Sequence, residues 1–513
     1  MSPYIVPVIL AGYFFILLLL SRFTSRRAAG NDAFFRAGRR SPWPLVAFGM
    51  IGASISGVTF ISVPGWAGTS GMTYLQMCMG FIVGYAAVAF VLLPVYYRLR
   101  LTSIYTLLRL RLGSSAHLSG STFFVVSKLL GAAARLFVVC HVLDIFLTLP
   151  LLRLVSPSAC SGLFSYSLTV CLVLLLIWLY TRRSGIRTIV RTDALQTLCL
   201  LTAAVGMLVA AMQRMGLDVA STWQLVTQSP MSRVWEWDAA SPAAFWRQFV
   251  SGAFIVVVMT GLDQDMMQKN LTCSTLRAAQ KDMLSYGLCF LPVNALFLGL
   301  GVVLYTFCAR QGLTPPAATD DLLPMLVQSG ALGGWVIVPF TVGMVAAAFS
   351  SADSALTALT TTICIDLLGM ERKPDATLAE RAAEERLRRR VHLCLIPLFV
   401  ACLLLFRVVG GGDILHAIYV MASYTYGPLL GLFAFALWGK RRVETRAVWA
   451  VCLAAPLLCA LLDGVSPLYW HYRFGYELLL LNGLLTFLGL ASLSRGGGRS
   501  HARRLPASSR RSQ

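Results

Sequence analysis

The sequence predicts an all-α polytopic membrane protein that crosses the bilayer about thirteen times. Three observations carry that expectation. Of 513 residues, 57% are hydrophobic and 13% are charged, with mean hydropathy +0.72, whereas soluble domains carry about 25% charged residues. Apolar runs of roughly 20 residues, the length that spans a bilayer, recur along the chain. The runs are continuous and lack period-two alternation, so they are helices and not barrel strands. A soluble enzyme is excluded.

Read against Gly/Pro and charge breaks, the spans fall at about 4–22, 43–66, 73–97, 121–150, 163–181, 189–213, 245–266, 280–309, 332–367, 390–408, 415–437, 446–462 and 474–494. The first lacks a basic leading region and a small-x-small cleavage site and ends in Ser21-Arg22, which makes it a retained helix. The second holds Gly49, Gly52, Ala53, Ser54, Ser56, Gly57 and Gly65 with Pro64. Such a run reads either as close packing against neighbours or as a helix interrupted in mid-membrane, whose unwound carbonyls can hold a cation. The stretch 214–244, with Trp223, Trp235 and Trp237, reads as an interfacial cap, and 370–390 as a solvated charged helix. The tail 495–513 is Gly/Ser/Arg-rich and expected to be disordered.

Lys+Arg 43 against Asp+Glu 22 gives a net charge of +21, which in a soluble protein would suggest a polyanion partner. Sorted by loop, with the N-terminus outside, 34 of the 43 basic residues fall on one side and 7 on the other, leaving Lys128 and Arg135 within a span. Cytoplasmic loops collect Lys and Arg, so the excess sets orientation, N-terminus outside and C-terminus inside, and no nucleic acid is expected. The 13 cysteines sit mostly within spans and form no CxxC pair, which supports neither a disulfide framework nor a metal cluster.

An ionisable side chain inside a span costs at least ~2.5 kcal/mol on the insertion scale and is a functional candidate by default. These are Lys128, Arg135, Asp144, Asp193, Asp353 and Asp366; Lys128, Asp193 and Asp366 lie near span ends and could reach the interface. In 332–367, Ala347, Ser350, Ser351 and Ser354 follow i, i+3, i+4, i+7 and share one face. That face is either a small-residue packing surface or a set of hard oxygen ligands for a small cation, with Asp353 adding charge. Arg135 lies about 14 residues into its span, roughly 21 Å along at helical rise. Its guanidinium needs a bidentate acceptor, either an internal acid or the carboxylate of a substrate, with His141 further along the helix as a second substrate candidate. Asp263-Gln264-Asp265 could pass for a DxD metal motif, but its place at a helix end favours a structural or gating loop. No nucleophile–base set points to an enzyme.

Three stretches together carry a family signature: Gly185 to Gln196, containing Thr192-Asp193; Asp263 to Leu271; and Ala347 to Ser354 with Ile365-Asp366. Leu101 to Gly113 and Tyr424 to Gly431 add to it. In this order they resemble the sodium:solute symporter family, whose members include sodium/proline, sodium/sugar and sodium/sialic acid transporters, over about residues 30–440. The resemblance implies a LeuT-like fold with two inverted five-helix repeats, here 43–213 and 245–437, separated by the extracytoplasmic loop 214–244. An extra helix and basic loop (1–42), two further helices (438–494) and the basic cytoplasmic tail (495–513) lie outside that core. It also implies a shared Na+ site from carbonyls of Gly52, Ile55 and Ala347 with hydroxyls of Ser350 and Ser351. Some members have a second cation site that here would use Asp193 and Ser354, with Asp353 standing where those members carry Ser.

The expectation is therefore a secondary active transporter, a monomer in a bacterial-type cytoplasmic membrane. Na+ is its coupling ion and not a tightly bound cofactor, and its substrate is a small organic solute, an acidic sugar or similar. A sensor module of the same fold and an amine or amino-acid transporter of another LeuT-fold family are the rivals.

Overall fold

In the computed structural model the residues described are 4–25, 41–155, 162–181, 186–239, 241–370, 377–409, 414–439, 442–443, 445–469, 472 and 474–494. The chain runs through α1 (Ile5–Ser25), α2 (Trp43–Ser54), α3 (Gly57–Ser70), α4 (Tyr74–Arg98), α5 (Thr106–Arg111), α6 (Ser114–Leu154), α7 (Gly162–Thr181), α8 (Ile186–Met215) and α9 (Val219–Gln228). It continues through α10 (Phe245–Gly261), α11 (Gln264–Asn270), α12 (Leu276–Gln311), α13 (Leu322–Gln328) and α14 (Ile337–Thr362). The last elements are α15 (Leu378–Val409), α16 (Ile414–Thr425), α17 (Gly427–Trp438), α18 (Ala447–Tyr469) and α19 (Leu478–Ser494).

Among the described residues, nine helices are long and apolar enough to cross a membrane; three bent pairs and the shorter Leu478–Ser494 complete the series. By length and composition that is nine spans, or up to twelve with each bent pair taken as one, in the order expected, with Leu478–Ser494 at the place of the last expected span. Centre and periphery separate by burial: the apolar window of the span Gly334–Leu367 is 78% buried, those of Ala379–Val409 and Ala447–Tyr469 only 22% each. The outer helices accordingly present Leu457, Leu461 and Leu468 outward, as a lipid-facing surface does.

Each bend has a local cause. α2 ends where Ile55 (ψ 85°) and Ser56 (ψ 175°) leave the helical region, and α3 restarts at Gly57 with its axis turned by 61°. Between α10 and α11 the turn is 70°; Asp263 is extended there and caps α11, accepting the Asp265 amide at 2.9 Å. A turn of 44° separates α16 from α17, with Pro428 in the first turn of α17.

Two expectations need correction. Lys128, Asp193 and Asp366 do not reach an interface: they are 4%, 0% and 4% exposed, because each has buried partners from other helices. The charged stretch ahead of 390 is not a separate helix, since α15 runs unbroken from Leu378 into the apolar segment. The cap at 214–244 contains α9, opened by Asp218, and stacks Trp235 on Trp237 at 5.9 Å. The tail 495–513 lies outside the described residues.

Candidate functional site

The second span is an interrupted helix. In a continuous helix the Ser56 amide would close on the Gly52 carbonyl; here it turns to Ser54 at 3.0 Å. Thr59 falls in the first turn of α3, so the Ile55 carbonyl has no amide four residues on. Both carbonyls named for a cation are thus relieved of their helical partners. Small side chains make the break possible, because α2 lies against α8 with Gly49 over Asp193 and Gly52 over Thr197. A Cβ on Gly52 would overlap Thr197 Oγ1 and come within 3.0 Å of its Cα. Gly52→Val is expected to lower stability by about 1–3 kcal/mol or more through overpacking, read as a lower thermal midpoint in detergent; an unchanged midpoint would refute the contact.

α8 is also packed along α14, and there the serine face meets Asp193. Ser350 donates its hydroxyl hydrogen to Asp193 Oδ1 at 2.8 Å, which leaves the lone pairs of Oγ for an electrophile. Ser351 Oγ is buried and has no hydrogen-bond partner, an orphan that a hard cation would satisfy. Ala347 sits one turn earlier in an unbroken part of α14. The donor set is carbonyl and hydroxyl oxygen throughout, which suits a small hard cation.

Of the residues read as a second cation site, Asp353 and Ser354 stay together, Ser354 donating at 3.2 Å and Tyr180 donating to the other Asp353 oxygen at 2.7 Å. Asp193 has a different partner: Lys269 Nζ stands 2.9 Å from its Oδ2. Lys269 makes no aligned hydrogen bond, so the contact is an ion pair without directional bonding. Lys269 also approaches Asp265 Oδ1 at 3.6 Å, and Lys128 reaches Asp265 at 2.8 Å and Asp263 at 3.0 Å. Tyr426 donates to Asp263 at 2.9 Å. Gln264 ties the same turn to Thr102 and Ile104 at 3.0 Å each. The Asp263–Asp265 turn holds the centre of a buried charge network.

That network ends at a cavity between α6, α10, α16 and the break after α16, lined by Ser127, Lys128, Gly131, Ala132, Arg135, Met259, Ile418, Met421, Ala422 and Tyr426. Arg135 therefore faces an internal space, and among the described residues no carboxylate lies within ion-pair distance of it. His141 does not line this cavity. It stacks on Phe137 and receives Arg407 at 3.4 Å, while Asp144 accepts from Ser165 and Thr169.

Lys269 is what sequence reasoning missed: it reads as one more basic residue of a loop. Its spacing of four from Asp265 was the available signal.

Comparison with known proteins fits this geometry. The sodium:solute symporter family model matches residues 34–453. The human sodium/iodide cotransporter is 26% identical over 79% of this chain, which spans 61% of that protein's length. The sodium/sialic acid symporter of Proteus mirabilis is 22% identical over 93% of this chain and 94% of its own. A solved Na+-coupled sialic acid symporter superposes with TM-score 0.75 at 17% identity, covering 96% of this chain and 97% of its own. Mhp1, a nucleobase-cation-symport transporter, gives TM-score 0.54 at 14% identity over 90% of this chain and 94% of its own. With the match running across most of its length, this chain belongs to the sodium:solute symporter family.

Proposed function

We propose that the protein couples inward Na+ flow to uptake of a small organic solute that carries a carboxylate. The observation that carries the solute class is Arg135: a guanidinium lining an internal cavity with no described carboxylate within ion-pair distance. A carboxylate entering there supplies the missing acceptor, bidentate if both oxygens engage. Relatives of similar length transport sialic acid, and the sodium-coupled monocarboxylate transporter 2 of Danio rerio is 24% identical over 80% of this chain.

Na+ would be held by the carbonyls of Gly52, Ile55 and Ala347 and the hydroxyls of Ser350 and Ser351, between the interrupted helix and the serine helix. An ion bridging two elements that separate in one conformation stabilises the other, a population shift through differential affinity. Inward movement of each positive charge gains ~2.3 kcal/mol per 100 mV of membrane potential. Asp353 with Ser354 remains the candidate for a second cation. In this reading the repeats 43–213 and 245–437 form the moving core, and the protein acts as a monomer in a bacterial-type inner membrane. The loop charge asymmetry supports an outside N-terminus and inside C-terminus.

The test is uptake of N-acetylneuraminate and of pyruvate into proteoliposomes under an inward Na+ gradient, with competition by carboxylates and neutral sugars. Carboxylates should compete and neutral sugars should not. In Arg135→Ala the loss of a buried charge partner, about 2–5 kcal/mol, should weaken uptake at least thirtyfold. Equal competition by neutral analogues would count against the solute class.

A further inference from the structure

We propose that Lys269, Asp265 and Lys128 form an ion-pair relay through which a cation at the Ser350–Asp193 end strengthens anion binding at the Arg135 end. Asp265 is its central positioning residue. The inference rests on the Na+ reading above and adds to it a route between the two sites.

The relay is built from contacts in series. Ser350 touches Asp193 at 2.8 Å, Asp193 pairs with Lys269 at 2.9 Å, Lys269 stands 3.6 Å from Asp265, and Asp265 holds Lys128 at 2.8 Å. Lys128 then lines the same cavity as Arg135. Three carboxylates (Asp193, Asp263, Asp265) face two ammonium groups (Lys128, Lys269) in this chain of contacts. Arg135, which lines the same cavity as Lys128, stands beside this chain of contacts as a third positive group.

Lys269 is shared unequally, near Asp193 and farther from Asp265, and its contact with Asp193 lacks a directional hydrogen bond. A cation arriving beside Ser350 places positive charge against Asp193 and repels the Lys269 ammonium. Asp265 is the second carboxylate within Lys269's reach. As Lys269 closes on Asp265, that carboxylate is divided between two ammonium groups and holds Lys128 less strongly. Lys128 then turns more of its charge toward the cavity, where it joins Arg135 in receiving an anion. Linkage makes the effect reciprocal: an anion that draws Lys128 away leaves Asp265 to attract Lys269, which clears Asp193 for the cation.

The relay makes predictions of opposite sign. Radioactive Na+ binding is measured on the purified full chain, with and without N-acetylneuraminate and pyruvate in separate arms. Asp265→Asn removes Lys269's second partner, so Na+ Kd rises about tenfold. Lys128→Gln leaves Asp265 wholly available to Lys269, so Na+ Kd falls. A purely structural role would weaken Na+ binding in both, and shifts of the same sign overturn the relay. If one variant fails to fold, the sign of the other decides. If neither folds, the charge-balanced double variant replaces them, with Na+ Kd again raised about tenfold; an unchanged Kd overturns the proposal. Na+ binding in the wild-type chain that neither carboxylate tightens overturns the link to the cavity. A wild-type chain that binds no Na+ overturns the proposed function as well.

Discussion

Alanine at both Ser350 and Ser351 is expected to remove Na+-dependent uptake while leaving a folded protein. Both side chains are buried, at 0% and 7% exposure, on the face of α14 that meets Asp193. Neither substitution adds volume, and the helix gains propensity from alanine. What disappears is two hydroxyl oxygens, one oriented by its bond to Asp193 and the other without a partner. If each contributes about 1.5–3 kcal/mol, as hydrogen bonds to charged groups do, Na+ affinity falls about a hundredfold or more. The measurement is initial uptake against Na+ concentration. A double variant that keeps the wild-type Na+ dependence would sink the site assignment.

The second large effect is at Lys269. Replacement by Met keeps the apolar stem but strips the charge from between Asp193 and Asp265, at 2.9 and 3.6 Å. Breaking a buried pair by removing one partner costs about 3–5 kcal/mol, because the remaining charge is left uncompensated. Lys269→Met should therefore show a strongly lowered thermal midpoint and low yield. Lys269→Arg keeps the charge and should recover most of the loss. If Lys269→Met melts with the wild type, the ion pair contributes nothing to the fold.

How far these sites were legible in the sequence depends on whether their signal is local. The serine face repeats at helical spacing within one segment, so it could be read directly. The interruption of the second span announced itself through its small residues and Pro64. Arg135 stood out because a guanidinium deep in an apolar run must find an acceptor, though the sequence left open whether that is an internal acid or a substrate. The network around Lys269 was hidden for a geometric reason. Gln264–Asn270 is a short polar helix that looks like a loop, and only the 70° turn at Asp263 brings it inward. Asp193 and Lys128, which lie near predicted span ends, similarly looked able to reach water until their partners on α11 and α14 were placed. Pattern reveals which face of a helix is special; it does not reveal which distant element that face will meet.

The buried charges also constrain how the chain can be made. Lys128 and its partner Asp263 are 135 residues apart, a gap that synthesis at about 5–20 residues per second takes roughly ten seconds to cross. During that interval Lys128 has been delivered to the membrane before the carboxylates that neutralise it exist, and Asp193 likewise precedes Lys269. Until α11 emerges, the early helices carry these charges uncompensated, at a cost of about 2.5 kcal/mol or more each on the insertion scale. Biogenesis of this protein is therefore a matter of timing, in which the seventh span arrives as a keystone for segments made long before it.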